Sequence, residues 1–153
     1  MSTESGVPAF VPIFNRVVAG LLSLGLPMGS MTLLIVPGRK SGRLRTTPVA
    51  LLERDGHRWL SSPFGEVNWV RNLRAARRGV VGRGRKRRAV EAVELSPEAA
   101  APVLQEALTR LEASPMVGRM LRPFFAAGPR SSQEELVAEA RRHPTFELRD
   151  LAA

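Results

Sequence analysis

Apolar residues fall into two patterns along the chain, short runs bounded by turn residues and longer stretches with helical spacing. The short runs predict strands, and the first of them, Leu33 to Val36, ends at Pro37 because proline cannot donate to a sheet. Asp55-Gly56 is a strong hairpin signal between the second and third runs. The predicted strands are Met31 to Val36, Arg45 to Glu53, His57 to Ser62, Gly79 to Gly82, Ala89 to Leu95 and Thr145 to Arg149.

In the remaining stretches apolar residues repeat every three to four positions, which predicts helices. Serine followed by proline marks two of the starts, since serine caps a helix and proline suits its first turn. The methionines and phenylalanines between Met116 and Phe125 form core by default, and the alternative is that they line an apolar substrate slot. The predicted helices are Phe10 to Leu24, Glu66 to Ala76, one after Ser96, one after Ser114, and one capped by Ser131 or Ser132 and running to about Arg142.

The composition indicates one globular domain over residues 1–153, with a disordered tail expected at 1–9. Hydrophobic residues make up 44% of the chain, which is typical of globular proteins. The chain has no cysteine, which excludes disulfides and thiolate chemistry. His57 and His143 lie far apart, so we expect surface or strand positions for both. On this basis we expect no metal site and no pairing of a histidine with an acidic residue.

The formal net charge is +9, and Lys40 and Lys86 are the only lysines among many arginines. Such a chain favours anionic partners, including phosphate-bearing cofactors, nucleic acid and anionic lipid. The alternative is that the arginine usage reflects only a high-GC coding bias. The first residues lack the basic start of a signal peptide, and Val17 to Leu26 is too short to span a membrane. We therefore expect a cytoplasmic protein with at most peripheral membrane contact.

The turn after the first predicted strand carries the strongest candidate chemistry. Gly38-Arg39-Lys40-Ser41-Gly42 places cations between two glycines, with Arg43 and Arg45 just beyond. Glycine lets an anion approach the backbone, and arginine binds phosphate through a planar fork. The pattern matches neither the Walker motif nor the dinucleotide fingerprint. It predicts a phosphate or carboxylate site, and the alternative is a solvated basic hairpin.

Two further features leave alternatives open. Asn72 lies on the apolar face of its predicted helix, between Trp69 and Leu73, where a buried amide needs a partner. That partner is either a nearby backbone group or a ligand. The second feature is the basic run Gly82 to Arg88, which predicts a solvated hairpin tip. Its Gly-Arg-Gly-Arg start also resembles a minor-groove arm, although the flanking strands count against nucleic-acid binding.

The sequence GRKSGRLRTTP, followed by WLSSPFGEVNWVRNLRAA from Trp59 to Ala76, resembles the deazaflavin-dependent nitroreductase family. The resemblance implies an α+β fold, a split β-barrel of the FMN-binding type, mostly antiparallel, with helices packed around it. It implies that coenzyme F-420 is the cofactor, with FMN as the alternative. By this resemblance, the phosphate and its acidic tail contact Arg39, Lys40, Ser41, Gly42 and Arg45. The ring and linker region contacts Pro48, Ser61 and Ser62, and the residues that border the ring are Trp69, Asn72 and Leu73.

The implied activity is hydride transfer from the reduced deazaflavin to a quinone, a nitroaromatic or an activated alkene. The family places tyrosines around the substrate, and this chain has none. Ser62 or His57 therefore remains to bond the substrate, and Ser62 is the one catalytic candidate. The alternatives are a non-catalytic binder of deazaflavin or of a lipid-like ligand, an FMN-dependent reductase and, least favoured, a nucleic-acid binder. Unpaired apolar faces would also allow a homodimer.

Overall fold

Six antiparallel strands form a closed barrel in the computed structural model, which describes residues 11–23 and 30–151. The strands pair in the order β1-β2-β3-β6-β5-β4, and β4 pairs with β1 to close the barrel. Every predicted strand is confirmed, and the largest shift in the start of a strand is at β5, which starts at Lys86 instead of Ala89. The strands are β1 (Met31–Pro37), β2 (Leu44–Arg54), β3 (His57–Ser61), β4 (Arg78–Arg83), β5 (Lys86–Glu94) and β6 (Thr145–Asp150).

Five α-helices are present in the described part of the chain, and each corresponds to a predicted one. Ser132, one of the two proposed caps, starts the last helix: its hydroxyl accepts from the Glu135 N–H, and the Glu135 carboxylate accepts from the Ser132 N–H. None of the described helices has the length and apolarity needed to cross a membrane. The helices are α1 (Val11–Ser23), α2 (Asn68–Ala76), α3 (Pro97–Glu112), α4 (Pro115–Leu121) and α5 (Gln133–Ala140).

Several helix boundaries differ from the predictions or cannot be compared with them, and one of them is the start of α2, which lies at Asn68 and not at the predicted Glu66. The predicted stripe from Met116 to Phe125 is not one helix, because α4 ends at Leu121 and a 3₁₀ turn, Arg122–Phe124, follows. Pro123 lies in that turn and cannot supply an N–H to a continuing helix. Helix α5 ends at Ala140, two residues before the predicted Arg142. The predicted helix ends at Phe10 and Leu24, and the tail at 1–9, lie outside the described residues.

The interior of the barrel is apolar and α2 packs against it. Val70 and Leu73 of α2 belong to the same buried cluster as side chains from the strands, including Leu60 and Phe146. A second core lies between α3 and α5, and Val18 of α1 packs on Leu33 of β1. Burial of these side chains is the main favourable contribution to the stability of the fold.

Although the strand order is closed, the barrel wall has a gap along one edge of β2. The Leu51 N–H donates to the Ser30 oxygen at 2.9 Å, and hydrogen-bonded pairs alternate along an antiparallel ladder. The even-numbered residues from Leu44 to Ala50 therefore direct their backbone groups away from β1. Pairing with β3 begins only at Leu51, opposite Leu60. Among residues 11–23 and 30–151, nothing pairs with this edge of the first half of β2, and the missing N–H of Pro48 disrupts no bond to β1.

Candidate active site

A cavity of about 890 Å³ lies along the free edge of β2. Residues from Leu44 to Ala50 form one wall, and residues of the β3–α2 connection and of α2 form the other. Its lining extends from Gly38, after the end of β1, to Met31 at the start of β1. Those positions are roughly 20 Å apart along an extended strand. The cavity is therefore long enough to hold an extended cofactor and a second molecule.

The turn after β1 is held by its own hydrogen bonds. The Gly38 N–H donates to the Arg43 oxygen at 2.7 Å, and the Gly42 N–H donates to the Gly38 oxygen at 2.8 Å. Gly42 has a φ of +75°, a conformation that residues with a side chain rarely adopt. Within the described residues, the N–H groups of Lys40 and Ser41 have no partner. Two consecutive free N–H groups in a basic turn are suited to binding an anion.

Asn72 connects α2 to this turn. Its Oδ1 accepts from the Arg39 N–H at 3.1 Å and from Arg39 Nη1 at 2.8 Å. The side chain is only 6% exposed, and it also contributes to the cavity wall. The structure thus confirms the interpretation that the amide bonds a backbone group. The position in the wall leaves the second interpretation, contact with a ligand, as a prediction.

The cations around the turn lack acidic partners. Arg39, Lys40, Arg43 and Arg45 form no ion pair with any described carboxylate. Arg74 offers a contrast, because it bonds the carboxylates of both Glu66 and Glu94. The hydrogen bond from Arg74 is the largest influence on the pKa of Glu66 and holds that pKa below its usual range. Unpaired positive charge at the turn favours an anionic ligand.

Eight of the eleven residues predicted for the cofactor line this cavity. The remaining three do not line it. Gly42 shapes the turn, and Leu73 is fully buried in the barrel core. Ser62 is also fully buried, and its Oγ donates to the Gly65 oxygen at 2.7 Å. The eight lining residues are Arg39, Lys40, Ser41, Arg45, Pro48, Ser61, Trp69 and Asn72.

Several lining residues were not among the predicted cofactor contacts. Met120 and Leu121 line the cavity, as the substrate-slot interpretation of the Met116 to Phe125 stripe proposed. Asn15 of α1 also lines it, and its amide has no partner among the described residues. Helical spacing predicted that Asn15 lies on the polar side of α1, but it gave no signal that this residue lines a cavity. The other unpredicted lining residues include Met31, Thr46, Thr47, Phe64, Val67 and Asn68.

The two histidines have different environments. His57 is exposed on β3 and stacks on Trp59 with ring centroids 5.7 Å apart, which confirms a surface strand position. The same prediction for His143 is wrong, because His143 is 4% exposed and lies in the turn after α5. Its Nε2 is 3.1 Å from Oε1 of the buried Glu139, so the expectation of no histidine–acid pair is also wrong. The four-residue spacing of these two residues was the available signal.

The fold and the site together define a β-barrel protein with a basic cavity that suits an anionic ligand. The chain matches the model of the F-420H(2)-dependent quinone reductase family over residues 10–117 and belongs to that family. The resemblance identified from the turn and the Trp59 to Ala76 segment is thereby confirmed. The protein is an F-420-dependent reductase, and coenzyme F-420 is its cofactor.

Solved structures of low sequence identity share the fold and confirm the prediction of a split barrel. One is described as a domain-swapped dimer, with 20% identity, a TM-score of 0.54 and coverage of 88% of this chain and 92% of its own. An F-420-H2 dependent reductase has 22% identity, a TM-score of 0.51 and coverage of 78% and 94%. A structure from Listeria innocua assigned as a pyridoxamine 5′-phosphate oxidase has 9% identity, a TM-score of 0.52 and coverage of 90% and 93%. Among curated proteins there is no significant match.

Proposed function

We propose that the cavity holds the reduced deazaflavin beside a small electron-poor acceptor, which is a quinone, a nitroaromatic or an activated alkene. When bound, the coenzyme supplies the hydride. The observation that carries the proposal is the composition of this one cavity. Unpaired cations surround one end, apolar side chains line the other, and a free strand edge runs between them. These surroundings suit a phosphate-bearing ring cofactor and an apolar acceptor.

The turn after β1 binds the phosphate end of the coenzyme. Arg39, Lys40 and Arg45 supply positive charge, while the free N–H groups of Lys40 and Ser41 donate to phosphate oxygens. Gly42 gives the turn its curvature, and the exposed Arg43 is available to the acidic tail. Charge-assisted hydrogen bonds of this kind contribute about 1.5–3 kcal/mol each.

The free edge of β2 and the face of α2 hold the ring between them. The Thr46 N–H and the Thr46 and Pro48 carbonyl groups point away from β1 and can bond the polar edge of the ring. Trp69 supplies an aromatic surface, and Ser61 a hydroxyl, on the opposite wall. Ser62 and Leu73 support this wall from the core. Contact of Ser62 with an acceptor stays a prediction, and the buried position of Ser62 outside the cavity lining does not support it.

The acceptor occupies the end lined by Met31, Phe64, Met120 and Leu121. These side chains exclude water from the reacting face and favour a flat apolar molecule. Asn15 lines the cavity and its amide has no partner among the described residues, so we assign it a contact to an acceptor oxygen. No carboxylate or histidine lines the cavity within the described residues, so the proton reaches the reduced product from water or from a nearby hydroxyl.

An acceptor screen with the reduced coenzyme tests this function. We expect the protein to oxidise the reduced deazaflavin with at least one quinone, nitroaromatic or enone, followed by the absorbance of the oxidised form. Asn15→Ala should raise the KM of that acceptor about tenfold, the loss of one hydrogen bond, while exposed neighbouring Arg16→Ala should leave it unchanged. Binding of deazaflavin without turnover of any acceptor would contradict the proposal and favour the non-catalytic binder.

Two alternatives have separate outcomes. Turnover with reduced FMN but not with the deazaflavin would contradict the cofactor assignment and leave the barrel fold intact. Steeply salt-dependent DNA affinity, lost when Arg83 and Arg85 are both changed to alanine, would support the nucleic-acid hypothesis.

A homodimer is a further proposal, supported by the domain-swapped dimer among the structural relatives. The mass of the protein in solution tests it.

A further inference from the structure

Glu139 is a buried carboxylate outside the cavity. It is 1% exposed, it accepts from the Ala126 N–H at 2.9 Å and from the Arg142 guanidinium, and its Oε1 lies 3.1 Å from His143 Nε2. Burial raises the pKa of this carboxyl, but the Ala126 N–H and Arg142 more than offset it, so the pKa lies below its usual range. A charged group that is so fully bonded holds its partners in one arrangement.

His143 extends this connection to the wall of the cavity. Its Nδ1 is 2.9 Å from the Ser62 carbonyl oxygen, and the Ser62 N–H donates to the Pro144 oxygen at 3.0 Å. On the other side, the ring of Phe125 stacks on His143 with centroids 4.3 Å apart. The pair of Glu139 and His143 therefore contacts both the residue after Ser61 and the residues that follow the 3₁₀ turn.

The two segments that this pair joins form the acceptor end of the cavity. One is residues 61–64, of which Ser61, Pro63 and Phe64 line the cavity, and the other is residues 120–127, of which Met120 and Leu121 line it. Phe64 and Phe124 also meet edge to face, with centroids 4.8 Å apart. A displacement of either segment would change the shape of the same apolar surface.

A direct role in proton transfer is excluded by the geometry. Neither Glu139 nor His143 lines the cavity. His143 meets Ser62 at the carbonyl oxygen, which carries no proton to relay, and the Ser62 hydroxyl donates to Gly65. Any effect of the pair on the reaction must act through the position of the wall.

We propose that Glu139 and His143 are positioning residues that fix the acceptor-facing wall and so determine acceptor affinity. This inference rests on the proposed function of the cavity. It predicts that disruption of the pair raises the acceptor KM while coenzyme binding at the opposite, basic end is retained. Acceptor affinity and coenzyme affinity therefore depend on different residues of this barrel.

The test compares His143→Phe, which keeps a ring against Phe125 but loses both polar contacts, with the shape-conserving Glu139→Gln. We expect the acceptor KM to rise about tenfold in His143→Phe and less in Glu139→Gln, with the deazaflavin Kd within about twofold of the parent protein. Ser132→Ala is the matched control, because it removes the cap of the same helix at a cost of about 1 kcal/mol without touching the wall. Its acceptor KM should not change.

Amide hydrogen exchange provides a readout that needs no turnover. We expect faster exchange at residues 61–65 and 120–127 in His143→Phe, with protection in β1 and β4 retained, and no such pattern in Ser132→Ala. Unchanged exchange in both segments, or an equal rise in acceptor KM in the control, would overturn the inference. Failure of the proposed function would appear separately, as loss of coenzyme binding or turnover in the parent protein.

Discussion

The Asn72 amide joins helix α2 to the basic turn, and it accepts two hydrogen bonds from Arg39. An alanine at this position would leave the Arg39 N–H without its acceptor and release its guanidinium. Asn68 also contacts Arg39, but only through Nη2 at 3.5 Å. The position of the turn therefore depends more on Asn72 than on Asn68.

For Asn72→Ala we expect the deazaflavin Kd to rise about tenfold, because the turn is no longer held against α2. The free energy of unfolding should fall by about 1–3 kcal/mol, the cost of a buried group that loses its partner. Asn68→Ala is the matched control and should raise the deazaflavin Kd less, because its bond to Arg39 is longer. Fluorescence titration and urea denaturation measure the two effects, and an equal rise in Kd from both substitutions would refute this role.

Residue identities could be predicted where the signal is local. The turn from Gly38 to Arg45 is held by hydrogen bonds within the same segment, so it could be predicted from the sequence of that segment alone. Ser61 and Ser62 were predicted together, yet Ser61 lines the cavity, whereas Ser62 follows the end of β3 and is buried, with its hydroxyl bonded to the Gly65 oxygen. His143 was misplaced because its partners Ser62 and Phe125 are brought to it only by tertiary packing.

At the scale of elements, the β4–β5 hairpin differs most from its predicted form. The basic run Gly82 to Arg88 was predicted as a turn, but Gly82 pairs with Arg87 in the ladder and leaves a shorter tip. A Cβ on Gly82 would lie 2.0 Å from the Lys86 oxygen and 2.7 Å from the Arg87 Cα. The missing side chain thus allows the two strands to pair at a position where the pattern indicated a loop.

Gly82→Ala should therefore destabilise the protein by about 2 kcal/mol or more, because backbone atoms must move to admit the methyl group. Gly20→Ala is the matched control: Gly20 lies in helix α1 with nothing within 4 Å of its Cβ position. It should be neutral or stabilising, by about 0.5–1 kcal/mol, because alanine favours a helix. Thermal unfolding distinguishes them, and equal melting temperatures would contradict the close approach.

At the scale of the whole molecule, the function depends on a barrel that opens along half of β2. Local patterns predicted every strand, yet they could not give the pairing of β3 with β6, which lies far away in sequence. The resemblance to a family supplied the split barrel instead. The cavity follows from that topology, since the free edge exists only because β3 ends at Ser61 and the chain turns into α2.

The most direct test is a fluorescence titration of the purified protein with oxidised coenzyme F-420. We predict saturable binding that FMN does not displace. Arg39→Ala and Lys40→Ala should each weaken it roughly ten- to hundredfold, and Arg85→Ala, which removes the same charge at the exposed β4–β5 tip, should leave it unchanged. Absence of saturable binding, or an equal loss in all three variants, would contradict the assignment of the turn after β1 as the phosphate site.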